Sequence, residues 1–360
     1  MSLDHYVTFG RSGLRVSPFA LGAMTFGNDP GGAGCSVEDA EHILESYLGQ
    51  GGNFIDTANF YTNGHSEKIL GDFFAARPGR RDRVVLASKF FTNMYPGDPN
   101  GGGAGRRSII AQLEQTLRRL RTDYLDVYWL HNWDRHTPIE ETMRALDDLV
   151  RLGKIRYLGF SNTPAWLTAQ AQTMAVLNNW TPLIALQVEY SLLARTVEGE
   201  LVPLTGDQGM ALAAWSPLKN GFLSGKYRRG TDVTDSARTA FVGQPGEDEY
   251  RVIDEVAQVA DELGTTVAAV SLAWLRAQSG TVVPIVGARR VDHLLSNLAG
   301  LELTLSGQQL HRLDEVSAPR LNYPAPMHGE LQSMLQFAGT TVDGGRSTVY
   351  PPLTLSDIRY

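Results

Sequence analysis

The sequence predicts an α/β protein folded as a (β/α)8 TIM-type barrel, on three observations. Short apolar runs of the kind buried on both faces of a parallel sheet recur eight times along the 360 residues. Stretches with apolar residues at helical spacing separate them. Several of the runs also end on a titratable or polar side chain, which is where such barrels carry their chemistry. A barrel of this length is commonly one domain, so residues 1–360 are read as one unit. The barrel is expected over about 17–300, with an extension over 318–360.

Taken in order, Tyr6–Phe9 and Leu14–Val16 flank Gly10-Arg11-Ser12-Gly13, a hairpin read as a plug over the barrel floor. Phe19–Gly22 is the first barrel strand, and Met24, Thr25 and Phe26 lie in the loop above it. Ser36-Val37-Glu38-Asp39 reads as a capping box opening a helix, with Ala40, Ile43, Leu44, Tyr47 and Leu48 on its apolar face. Asn53-Phe54-Ile55 is the second strand, ended by Asp56, and a helix over 66–76 follows. Val84–Ser88 closes on Lys89. The Gly- and Pro-rich stretch 90–105 reads either as a surface loop or as a mobile lid beside the site. An amphipathic helix spans 106–121, Leu125–Leu130 closes on His131, and a helix spans 139–152. The fifth strand starts at Lys154 and is topped by Ser161 and Asn162. Ile184–Tyr190 carries Gln187, and Met210–Ser216 carries Trp215. Residues 228–247 form a polar excursion, and helices are expected over 248–264 and 266–278. Thr281–Val286 is the eighth strand; Arg289, His293 and Asn297 then share one helix face. A short helix over 305–316 ends the periodic part of the chain.

The strand ends suggest a chemistry. A carboxylate at a buried strand end is costly unless a cation neutralises it, and Lys89 can neutralise Asp56. Tyr61 follows Asp56 by five residues. An ammonium beside a phenol favours the phenolate, so Tyr61 is expected to titrate nearer neutrality than a free tyrosine. Tyr61 would act as a general acid on a carbonyl while hydride arrives from the other side, with His131 donating a hydrogen bond to the same oxygen. Each residue alone has a bland reading, a cap or a surface ring. At the ends of consecutive strands the four read as one site.

Gly51-Gly52-Asn53-Phe54-Ile55-Asp56-Thr57-Ala58 is similar to the first signature of the aldo-keto reductase superfamily, and Asp56, Tyr61, Lys89 and His131 resemble its catalytic tetrad. The resemblance spans about residues 7–316 and points toward aryl-alcohol-dehydrogenase-like and deoxysugar-reductase-like members. It implies NADP(H) at the barrel mouth. Met24 and Thr25, with Asp56, resemble the first cofactor-lining segment; Ser161, Asn162 and Gln187 resemble the residues that hold the nicotinamide carboxamide. Trp215 resembles the ring stacked under the nicotinamide. Ser216, Pro217, Leu218, Gly221, Leu223 and Lys226 look like the pyrophosphate loop, with small residues freeing backbone amides. Gly287, Arg289, His293 and Asn297 resemble the adenosine segment, though relatives often have glutamine where His293 stands. An arginine here suits a ribose 2′-phosphate, which favours NADP over NAD. There is neither a Walker loop nor a Rossmann GxGxxG. From loop position, Phe26, Phe60, Phe91 and Trp133 are read as walls of the substrate pocket, and 228–247 as a cover over the cofactor.

Composition narrows the field. A formal charge of -7 without a basic stripe argues against nucleic acid. No apolar run reaches membrane-spanning length, and Met1–His5 lacks the apolar segment of a signal peptide, so a soluble cytoplasmic protein is expected. The single cysteine, Cys35, excludes an internal disulfide and a Cys-based zinc site, and no metal is expected at the strand ends. The expected activity is NADPH-dependent reduction of an aldehyde or ketone, a small-molecule carbonyl substrate. Two alternatives stay open: reduction of a nucleotide-deoxysugar enone in a secondary-metabolite pathway, and a slowly turning NADP-binding subunit like the potassium-channel β-subunits.

Overall fold

The computed structural model describes residues 2–28, 34–230 and 243–355. The chain enters through an antiparallel hairpin, β1 (Val7–Thr8) and β2 (Arg15–Val16). Just past β1, Phe9 is fully buried and packs edge-on against Phe54 at 5.2 Å and Trp129 at 6.3 Å. The hairpin therefore stoppers one end of the barrel, as the glycine-flanked turn predicts.

Eight parallel strands follow: β3 (Ala20–Gly22), β4 (Phe54–Asp56), β5 (Val85–Phe90), β6 (Leu125–Leu130), β7 (Ile155–Ser161), β8 (Leu183–Glu189), β9 (Ala211–Trp215) and β10 (Val282–Gly287). Each pairs with the next, and β10 pairs back onto β3, so the sheet closes into a (β/α)8 barrel. Register sets the upper layers of the barrel. Gly22 lies beside Asp56, Lys89 beside Trp129, Ser161 beside Gln187, and Glu189 beside Trp215. Inside the barrel, Phe9, Phe54 and Trp129 fill the space left by Ala87, Ala185, Ala211 and Ala213. The larger core lies between the strands and the surrounding helices. Gly159 is required on β7, because a Cβ there would sit 2.2 Å from the Trp129 ring.

Several local details depart from expectation. Ser36 caps the helix Val37–Gly49 by accepting from the Asp39 amide at 3.0 Å, but the reciprocal bond of a capping box is absent. The Asp39 carboxylate instead accepts from the Ser36 hydroxyl at 2.7 Å, since aspartate is one methylene too short to reach back. The 90–105 stretch is a loop tied together at its base. The Gly103 amide donates to the Phe91 carbonyl at 2.7 Å, the Gln112 carboxamide bonds Phe91 N and Gly103 O, and Ala104 N donates to Asp134. The extension contains a helix, Glu330–Phe337, that buries none of its residues. Most of the 228–247 excursion, residues 231–242, lies outside the described residues.

Gly159→Ala is expected to cost about 1–3 kcal/mol, because neither the Trp129 ring nor the Ala185 carbonyl can retreat inside a filled barrel. Urea unfolding of the variant against wild type checks this.

Candidate active site

Asp56 ends β4, Lys89 is the penultimate residue of β5, and His131 directly follows β6. Tyr61 begins the 3-10 turn Tyr61–Gly64, in which Thr62, Asn63 and Gly64 all take left-handed φ of 45°, 56° and 82°. That backbone costs energy at the two non-glycine positions. It is held by the Thr62 hydroxyl, which donates to the Phe26 carbonyl at 2.7 Å and accepts from Ser66 N at 3.0 Å. The turn folds Tyr61 back over the strand ends. The Lys89 ammonium, with no exposed surface, donates to Asp56 Oδ2 at 2.5 Å, the Thr57 carbonyl at 2.9 Å and the Tyr61 hydroxyl at 3.0 Å. Asp56 Oδ1 accepts from the Gln187 amide at 3.1 Å. The Tyr61 and His131 rings pack edge-on with centroids 6.0 Å apart, and Phe60 covers both.

The electrostatics correct one expectation. Burial pushes the Tyr61 phenol above its ordinary value; Lys89 pulls it down, but Asp56 pushes it up again. With its charge matched by Asp56, the lysine does not bring the phenol to neutrality. Tyr61 is therefore protonated at neutral pH, and since its oxygen accepts from Lys89, its own proton is left for a ligand. Burial works against the Lys89 ammonium, yet Asp56 and Tyr61 hold it above the usual lysine range. Burial and the Lys89 charge lower His131 to about 3, so its ring is neutral and presents one N–H.

Asp56, Tyr61, His131 and Phe60 line a cavity of about 490 Å3. Met24, Thr25, Asp56, Asn162, Gln187, Trp215, Ser216, Pro217, Leu218, Gly221, Lys226, Gly287, Arg289, His293 and Asn297 all line it. The Trp215 indole is fixed by donating to Asn162 Oδ1 at 3.1 Å, while Asn162 Nδ2 donates to the His131 carbonyl at 3.0 Å. Among the described residues, no group of His, Cys, Asp and Glu is placed to hold a metal ion, and no helix is long and apolar enough to cross a membrane.

The sequence matches the Aldo/keto reductase family over residues 18–318. The chain belongs to that family. It is 33% identical over 327 residues to a norsolorinic acid reductase of Aspergillus flavus, covering 89% of this chain and 82% of that one. It is 34% identical over 342 residues to an aryl-alcohol dehydrogenase [NADP(+)] of Phanerodontia chrysosporium, covering 88% and 87%. A Bacillus subtilis protein named an uncharacterized oxidoreductase shares 36% over 321 residues, covering 86% and 95%. The protein is an oxidoreductase of the aldo/keto reductase family.

Within this aldo/keto reductase, some residues singled out from sequence do not reach the cavity. Phe26 is fully buried in the outer core, because the Thr62 bond to its carbonyl ties its loop down. Phe91 packs against the same core, and Trp133 turns toward Trp166 beside a neighbouring recess; only Phe60 of the four faces the cavity. Ser161 is buried beneath Asn162, whose amide donates to it at 3.1 Å. Leu223 is buried, and its amide, like that of Gly221, is spent on the Leu218 carbonyl. The loop over 216–226 therefore offers fewer free amides than its small residues suggest. Arg289 precedes the helix Val291–Leu298 rather than sharing its face. Sequence reading passed over Ser224, Tyr227 and Ser296, which also line the cavity. Among the described residues Ser224 Oγ is buried without a partner, and its place between Leu223 and Gly225 was the available signal.

His131 also makes a prediction about stability. Its folded-state pKa is depressed from 6.5 to about 3, so below pH 6.5 the unfolded chain takes up a proton that the fold refuses. The residue thus subtracts stability as pH falls from 6.5 toward 3 and subtracts none above 6.5. His131→Gln should lose less stability than wild type between pH 7 and pH 5 in urea unfolding.

Proposed function

We propose that this protein is an NADPH-dependent reductase of aldehydes or ketones, with the carbonyl carried on an aromatic ring. The observation that supports it most is the Lys89 ammonium donating to the Tyr61 hydroxyl at 3.0 Å beside a cavity that Tyr61 shares with Trp215, Lys226, Arg289 and Asn297. Tyr61 donates its proton to the carbonyl oxygen. Lys89, held by Asp56, stabilises the phenolate this leaves, and the neutral His131 ring donates to the same oxygen and orients it. Phe60 and the rings beside it supply an apolar wall suited to an aryl group.

The residues present fit a bound NADP(H). Trp215, Asn162 and Gln187 would hold the nicotinamide end. The Ser224 hydroxyl, without a partner among the described residues, Lys226 and Arg289 would meet the phosphates, and His293 and Asn297 would flank the adenosine. When bound, this cofactor supplies the hydride. Arg289 and Lys226 have no carboxylate within ion-pair distance among the described residues, whereas Arg290 is paired with Asp292 at 2.7 Å. That contrast favours Arg289 over Arg290 as the 2′-phosphate ligand.

Two measurements test the reading. Tyr61→Phe should lower kcat for NADPH oxidation by aryl aldehydes at least about a hundredfold, with NADPH still bound in a fluorescence titration. Arg289→Ala should raise the KM for NADPH roughly tenfold or more and change that for NADH little, since it removes a charge-assisted phosphate contact. Equal effects on the two nucleotides would remove the 2′-phosphate assignment.

A further inference from the structure

A second, more open recess of about 510 Å3 adjoins the cavity, lined by Asn132, Trp133, Arg135, Thr163, Pro164 and Leu201. Asn162 lines both spaces. Because its amide donates to the His131 carbonyl, the recess adjoins the cavity next to His131.

The recess is chemically lopsided. Trp133 packs edge-on against Trp166 with centroids 5.6 Å apart, and Trp166 is 58% exposed. The Arg135 guanidinium lies 4.9 Å from the centroid of the Trp133 ring. Among the described residues it has no carboxylate partner. The adjacent Asp134 is spent on Ala104 N, His136 N and the Thr137 hydroxyl. The Thr163 hydroxyl donates to the Ser161 carbonyl, and Asn132 Oδ1 accepts from Trp133 N. The side-chain donors left are the Asn132 amide, the Trp133 indole N–H and the Arg135 fork, beside the apolar edges of Pro164 and Leu201. A guanidinium over an aromatic ring, without a counter-ion, keeps its planar fork available for a carboxylate.

We propose that this recess is the distal half of the substrate site and takes an aryl ring bearing an acidic group, the ring against Trp133 and the anion on Arg135. The inference rests on the carbonyl-reductase reading and narrows its substrate class to acidic aryl aldehydes and ketones. A guanidinium that merely shields Trp133 from water would give no dependence on substrate charge.

The test compares kcat/KM for 4-formylbenzoate and 4′-formylbiphenyl-4-carboxylate with that for their methyl esters, at saturating NADPH, in wild type and Arg135→Gln. At least one acid should be preferred over its ester by roughly tenfold through KM, the scale of one charge-assisted contact at an exposed site. That ratio should fall toward one in Arg135→Gln and decline with added salt in wild type. No preference at either length, or a preference untouched by Arg135→Gln, would overturn the recess assignment. Quenching of tryptophan fluorescence by biphenyl-4-carboxylate, which needs no turnover, separates the two readings. Binding weakened by Arg135→Gln in an enzyme that reduces none of the aldehydes keeps the recess and removes the reductase reading. Binding indifferent to Arg135→Gln removes the recess whatever the turnover.

Discussion

A lysine ammonium with no exposed surface stands at the top of the barrel interior, and all three of its donors are committed to Asp56, the Thr57 carbonyl and the Tyr61 hydroxyl. Such a charge is tolerated inside a protein only when paired and fully hydrogen-bonded. Removing one member of a buried pair typically costs about 3–5 kcal/mol. Much of the local architecture reads as support for this arrangement. Gln187 steadies the second carboxylate oxygen, and a left-handed turn holds Tyr61 within reach of the ammonium. The hairpin plug and Trp129 fill the barrel beneath it.

The same pair explains why the phenol remains protonated. An isolated ammonium would draw the tyrosine toward phenolate, but one already matched by a carboxylate presents little net charge, and burial then dominates. A proton donor must hold its proton before the reaction and be relieved of negative charge afterwards. An ion pair beneath the phenol suits both demands, because the ammonium needs no reorganisation to receive the developing phenolate. His131 lies on the other side of the same field: the Lys89 charge and burial together keep its ring neutral.

How much of this was legible before folding depends on the range of the interactions. The strands, the helices and the ends that carry Asp56, Lys89 and His131 follow from local periodicity and from the cost of a lone buried charge, and the barrel observed has those strands in that order. Tyr61 was legible through its spacing from Asp56 and through resemblance. The substrate walls were legible only in part: Phe60 lines the cavity and Trp133 the adjoining recess, while Phe26 and Phe91 pack into the core. Whether a loop aromatic faces the mouth or the core turns on single hydrogen bonds between distant segments, such as Thr62 to the Phe26 carbonyl. The free amides assigned to the 216–226 loop failed for a related reason, since its own carbonyls consume several of them.

The amino-acid sequence by itself determined the fold class and the strand that carries each titratable group, because alternation and strand-end chemistry are properties of neighbouring residues, and its signature around Asp56 pointed to the family by resemblance. Only the tertiary structure decided the protonation of Tyr61, the neutrality of His131 and, among the described residues, the lack of a partner for the Ser224 hydroxyl and of a carboxylate for Arg135 over Trp133. Each of those depends on desolvation and on partners supplied from other elements, and neither quantity exists until the chain has closed on itself.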